Sequence, residues 1–127
     1  VKQQTEKIFS TSKNSRFLLR NKMAEHKTIS FEEAKHIIDT EKDCVVLDVR
    51  EESEYLTGHI EDALNFPVDT ISEQEASEMI SDKNTTLLVY CKTGKRSGMA
   101  YKRLKELGYK NIYDIGCLIG WPYGLDY

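Results

Sequence analysis

Cys44-Val45-Val46-Leu47-Asp48-Val49 is an apolar run of strand length, broken only by Asp48. An unbroken run of this kind is how a strand buried on both faces reads, and such burial is the habit of parallel sheets. Thr86-Leu87-Leu88-Val89-Tyr90 repeats the pattern and ends at Cys91. Between and around these two strands the periodicity changes. Ser30 and Glu33 have capping-box spacing, and Phe31, Ala34, Ile37 and Ile38 follow at helical intervals, so a helix is predicted over 31–40. Glu51 to Leu56 forms a short helix in this reading. The next helix opens at Ser72 with Glu75 and runs to about Ile80. Met99, Leu104 and Leu107 mark a further helix, stopped at Gly108, and Asn111 to Ile115 is the last strand. Strands alternating with helices over short links predict an α/β sandwich with right-handed crossovers.

The 127 residues suit one domain rather than two. Apolar residues are 39% and charged residues 31% of the chain, the mix of an ordinary globular protein, and no run approaches the roughly 18 apolar residues that span a bilayer. Residues 1–27 form a polar, basic tail with two apolar clusters, Ile8-Phe9 and Phe17-Leu18-Leu19, and room for one docked helix. Seven Lys/Arg against two Glu give this tail +5, which leaves −8 on residues 28–127 from a total of −3. An acidic folded part with its basic excess in a terminal arm argues against nucleic-acid binding. The tail is expected to be dispensable for chemistry because its patterning is weak. The three cysteines, at 44, 91 and 117, have no metal-ligand spacing and form no complete disulfide set. Unpaired thiols suit a reducing compartment, so a cytoplasmic location is expected, with periplasmic or secreted locations left open.

Chemistry concentrates in Cys91-Lys92-Thr93-Gly94-Lys95-Arg96-Ser97, between a buried strand and an amphipathic helix. Ligands of open α/β sheets lie beyond the carboxyl ends of the strands, where Cys91 falls. A cysteine that merely packs, as Cys44 is expected to do among apolar neighbours, has no need of a Gly, two Lys and an Arg in the next five residues. If the loop curls around the sulfur, its backbone N–H groups and the following helix N-terminus face that atom and favour the thiolate. Lys92, Lys95 and Arg96 add to the same field. Thiolate is the form that attacks sulfur.

Leu47-Asp48-Val49-Arg50 with Glu54-Tyr55, Gly58-His59-Ile60, Ala63 and Asn65 to Pro67 resembles the first signature of the rhodanese-like domains. Val89-Tyr90-Cys91 with Gly94-Lys95-Arg96-Ser97 resembles their active-site loop, and the likeness continues through Asp114-Ile115-Gly116 to Trp121. It covers about residues 28–127. The resemblance implies a three-layer sandwich around a mostly parallel five-stranded sheet. It also implies a sulfurtransferase in which Cys91 takes sulfur from thiosulfate or a similar anionic donor, holds it as a persulfide, and yields it to cyanide or a thiol. The acceptor thiol is a small molecule or a thioredoxin-like protein. No cofactor or metal enters this chemistry. In this reading Lys92, Thr93, Gly94, Lys95, Arg96 and Ser97 bind the donor sulfur, with a supporting contact from the Ser97 hydroxyl. Asp48, Arg50 and His59 support the loops. Cys117 stands where the family commonly has the second of two glycines. It is expected either to pack or to resolve the Cys91 persulfide.

Two rivals remain at this stage. Cysteine-dependent phosphatases and arsenate reductases also place Cys and Arg around an anion loop, but with five intervening residues, whereas four separate Cys91 from Arg96. The shorter loop favours a sulfur atom over a tetrahedral phosphate. A non-catalytic binding module is the other rival, disfavoured because Cys91 is present.

Overall fold

The run at 44–49 folds as β1 (Val45–Asp48) in a computed structural model that describes residues 26–127. It is preceded by α1 (Phe31–Thr40) and followed by α2 (Glu52–Tyr55), β2 (Leu64–Asn65), a 3-10 turn (Val68–Thr70), α3 (Glu73–Met79), β3 (Thr86–Cys91), α4 (Lys95–Glu106) and β4 (Asn111–Cys117). The helices and strands predicted between residues 31 and 115 therefore form, with ends shifted by a residue or two except at the helix after Cys91 and at β4. The main difference is β4, which runs past Ile115 to Cys117.

The strands pair in the order β2-β1-β3-β4, every pair parallel. The sheet thus has four strands among the described residues where five are expected, and the α/β class stands. An isolated parallel bridge from Thr28 to Asp114 extends the β4 edge, too short to make a fifth strand. His26 and Lys27, placed with the tail by composition, belong to this edge. His26 Nε2 lies 2.8 Å from the Asp114 carboxylate, its ring stacks on Tyr101, and the Lys27 carbonyl accepts from the Asp114 amide at 2.8 Å. Residues 1–25, with the docked helix allowed for the tail, lie outside the described residues.

Burial on both faces explains why alternation is missing from the strand sequences. Leu47, Leu87, Val89 and Cys91 face one core with residues of α3 and α4, including Ala76, Ala100 and Leu104. Val46, Leu88 and Tyr90 face a second core with Ala34 of α1, Ile60 and Leu118. Each central strand is therefore apolar on both sides, and fully burying one such Leu or Val contributes about 1.5–3 kcal/mol. α1 starts where its reciprocal cap dictates: the Glu33 amide donates to the Ser30 hydroxyl at 3.0 Å, and the Ser30 amide donates to the Glu33 carboxylate at 2.8 Å. At α3 only half of that device is present, with the Glu75 amide donating to Ser72 at 3.2 Å. Since β1 and β3 are the two central strands, their carboxyl ends bring Asp48 and Cys91 to the same rim of the sheet.

Candidate active site

Cys91 ends β3, and the chain turns through Lys92 and Thr93 to Gly94, which precedes α4 with φ +98°. That left-handed conformation suits Gly because a Cβ there is strained. A helix leaves its first N–H groups without intrahelical partners, and a side chain of the capping residue normally accepts from one of them. Gly94 has none. The Cys91 sulfur takes that place: the Ser97 amide, third in α4, donates to Sγ at 3.3 Å, and the Gly94 amide donates at 2.9 Å. Both donors favour a negative sulfur, and the positive end of α4 adds to them. Of the loop amides expected to surround the sulfur, these two do so. The Ser97 hydroxyl donates instead to the Gly94 carbonyl at 3.0 Å, so it holds the loop closed rather than touching the sulfur.

Cys91 has no exposed surface, whereas Lys92, Thr93 and Lys95 are exposed above it. The sulfur lies at the floor of the loop. An open cleft of about 430 Å³ adjoins the loop, with Arg50, Glu54, Lys92, Leu118, Ile119 and Trp121 on its walls.

Arg96, expected among the donor-binding residues, meets Glu54 in this structure. Its guanidinium forms a two-pronged ion pair with Glu54 of α2, at 2.7 and 3.0 Å. That hydrogen bond is the main cause raising the Arg96 pKa, with Glu54 and Cys91 charges contributing further. It also holds the Glu54 carboxyl at about 2, well below its ordinary 4.5. Glu54 is the residue that sequence reasoning missed: it appears within a motif, yet nothing in its spacing shows that it meets a residue 42 positions later. The pair ties the loop to α2. Since Glu54 has its pKa depressed by folding, its contribution is fully present above about 4.5 and is lost as pH falls toward about 2. Glu54→Gln is expected to free the loop and lower stability by about 1 kcal/mol. The difference between Glu54→Gln and wild type in urea unfolding should shrink as the buffer is taken from pH 6 to pH 3, roughly in line with this titration. A difference that stays constant across that range would show the pair adds nothing.

Asp48 and Arg50 form a buried unit beneath the site. Arg50 donates from Nε and Nη2 to the Asp48 carboxylate at 2.6 to 3.1 Å, and Nη2 also donates to the Gly58 carbonyl at 2.7 Å. The Tyr90 hydroxyl donates to Asp48 at 2.7 Å and accepts from the Ile60 amide at 3.1 Å. Burial first, and the bond to Asp48 next among the raising causes, push the Tyr90 pKa up. Neither Asp48 nor Arg50 makes a hydrogen bond to the sulfur; together they tie β1, β3 and the 58–60 segment. His59 stacks on Tyr55 at 3.8 Å between ring centroids, with Nδ1 at 3.0 Å from the Tyr55 carbonyl, and its backbone bridges to Asp126. Cys44 is half-buried against the α1 core, where burial pushes its thiol pKa up. Cys117 lies across from Cys91, and its thiol donates to the Lys92 carbonyl at 2.9 Å.

A parallel α/β sheet with an amide-bound cysteine between a central strand and a helix defines a class, and comparison with known proteins agrees with it. Residues 30–116 match the rhodanese-like domain, and the chain belongs to that family. It is 38% identical over 72 residues to the thiosulfate sulfurtransferase PspE of Escherichia coli (strain K12), covering 57% of this chain and 68% of that protein. It is 32% identical over 87 residues to the putative sulfur carrier protein YrkF of Bacillus subtilis (strain 168), covering 68% of this chain but 45% of that one. A tRNA uridine(34) hydroxylase of Buchnera aphidicola is 36% identical over 77 residues, which span 58% of this chain and 25% of that enzyme. Among solved structures, a rhodanese with anions from E. coli superposes with a TM-score of 0.56 at 34% identity, covering 61% of this chain and 93% of the other. A rhodanese-like domain from Anabaena sp. gives a TM-score of 0.67 at 23% identity over 76% and 74% of the two chains, a likeness of fold. Among the described residues, no helix is long and apolar enough to cross a membrane.

Proposed function

We propose that this chain is a sulfurtransferase that carries a sulfane sulfur on Cys91, taken from thiosulfate or a similar small anion and passed to cyanide or a thiol. The observation that carries this reading is the double donation of the Gly94 and Ser97 amides to one sulfur. The Cys91 thiolate attacks the outer sulfur of thiosulfate. The S–S bond of the donor breaks, sulfite leaves with the electron pair, and a persulfide remains. An acceptor thiolate or cyanide then attacks the outer sulfur, and Cys91 departs as the thiolate that the two amides favour. The same donors serve both steps because the charge stays on sulfur throughout. Lys92 and Lys95, exposed at the loop, attract the anion, while Arg96 is committed to Glu54 and shapes the loop. The name of the Escherichia coli relative supports the donor, and thiosulfate is small enough to approach a sulfur at the floor of a loop.

The test is a thiosulfate:cyanide assay run beside hydrolysis of a phosphate ester, with intact-protein mass spectrometry for sulfur on Cys91. Sulfur uptake without phosphate release is expected. Phosphate release without sulfur uptake would move the assignment to the phosphatase class, and neither activity would favour a binding module. Removing residues 1–24, which keeps the docked His26 and Lys27, should leave sulfur transfer within about twofold of the full chain. A larger loss would give the tail a part in the reaction.

A further inference from the structure

Cys117 has no part in the transfer just described, yet the fold sets it beside the reacting sulfur. Along β3 and β4 the register runs regularly from Thr86 opposite Asn111 to Val89 opposite Asp114, then slips by one residue so that Gly116 faces Tyr90 and Cys117 faces Cys91. Ile115 is the extra residue. Without it Gly116 would stand opposite Cys91 and the thiol would lie beyond the strand end. Bulges re-aim side chains in this way next to active sites. Opposed residues of neighbouring strands share a face of the sheet, with backbones about 4.7–4.9 Å apart. That spacing falls inside the roughly 4.4–6.8 Å between Cα atoms that a disulfide spans. Both thiols are free in this conformation. Cys117 is also unlike the packing cysteine of this chain. Cys44 lies against an apolar cluster, whereas Cys117 is in neither core, is part-exposed, and points its S–H at the carbonyl of the residue that follows Cys91.

We propose that Cys117 is a resolving thiol, so that the chain also acts as a sulfane-sulfur reductase when no acceptor takes the sulfur; this rests on the Cys91 persulfide proposed above. The Cys117 sulfur attacks the inner, Cys91 sulfur of the persulfide. A Cys91–Cys117 bond forms, the bond to the outer sulfur breaks, and that sulfur leaves with the electron pair as hydrosulfide, which carries off the Cys117 proton. The sulfane sulfur is reduced and the two cysteines are oxidised, so no other oxidant is needed. An external dithiol returns both cysteines to thiols. The reaction draws Cys91 away from the Gly94 and Ser97 amides, so the closed form has lost its sulfur cradle and cannot load again until reduced.

The full-length protein is loaded with thiosulfate, freed of excess donor, and followed by mass spectrometry and sulfide measurement without acceptor. In wild type the extra sulfur should disappear as about one sulfide per chain is released, leaving a protein two hydrogens lighter than the reduced form, with Cys91 and Cys117 joined in one peptide pair. In Cys117→Ser the persulfide should last about tenfold longer or more, because the attacking group held at close range is gone. Persulfides of equal lifetime in the two proteins would overturn the resolving role and leave sulfur uptake standing. Absence of a persulfide from both would overturn the sulfurtransferase reading itself and the resolving role with it. A separate arm in oxidised glutathione tests the pairing without thiosulfate: a Cys91–Cys117 link is expected, and mixed glutathione disulfides with no link would overturn the geometry.

Discussion

Cys91→Ala is expected to abolish sulfur uptake, with thiosulfate:cyanide turnover down by at least about 10³-fold to the solution background. Alanine removes the proposed nucleophile and also the acceptor of two N–H groups, so part of the effect is structural. Leaving buried donors without a partner costs about 1–3 kcal/mol. Cys91→Ser separates the two consequences. Its oxygen still accepts from Gly94 and Ser97, so the fold should be retained, while a hydroxyl without a base beside it does not attack a sulfane sulfur. Circular dichroism and urea unfolding report the fold; mass spectrometry reports sulfur on residue 91. A Cys91→Ser protein that transfers sulfur near the wild-type rate would place the chemistry elsewhere, and Cys117 would be the first residue to examine.

Asp48→Ala should be the most destabilising change at the rim of the sheet, at about 3–5 kcal/mol in urea unfolding. The carboxylate is fully buried and accepts from the Arg50 amide, from the Arg50 guanidinium and from Tyr90. Its removal leaves a guanidinium, itself almost buried, with the Gly58 carbonyl as its remaining hydrogen-bond acceptor among the described residues and the Tyr90 ring 5.7 Å away. The phenol of Tyr90 loses its acceptor as well. Against a total stability of roughly 5–15 kcal/mol for a domain, such a loss is a large fraction. Activity should fall with the folded fraction and recover when the protein is assayed at lower temperature or with glycerol. A loss below about 1 kcal/mol would mean the unit is dispensable to the fold. Activity that stays absent in a fully folded Asp48→Ala protein would give Asp48 a direct part in the reaction.

The elements along the chain were legible because their signals are local. The Ser30–Glu33 cap sets the start of α1, and the apolar runs at 44–49 and 86–90 mark the two central strands. Parallel pairing followed from their lack of alternation, as two cores, one on each face, require. The sheet's strand number was less legible: β2 is two residues long and the edge at Thr28 is a single bridge, so neither offers a periodic pattern to count. Of the candidate site, Cys91 and the glycine after it were readable from composition alone, since an anion loop needs small and cationic residues around one nucleophile. The fate of the individual cations was not. Arg96 reads as a ligand for an anion, and nothing local in the sequence shows that the fold brings Glu54 against it.

By itself, then, the chain's sequence determined the α/β class and the position of Cys91 at the end of a buried strand, ahead of a helix, because each depends on residues within about one turn or one strand of one another. Tertiary structure alone decided that Glu54 claims Arg96, that Tyr90 completes the Asp48–Arg50 unit, and that one extra residue in β4 sets Cys117 opposite Cys91. Those pairings join residues 26 to 42 positions apart. Their geometry depends on sheet register and helix packing, which a short stretch of sequence does not encode.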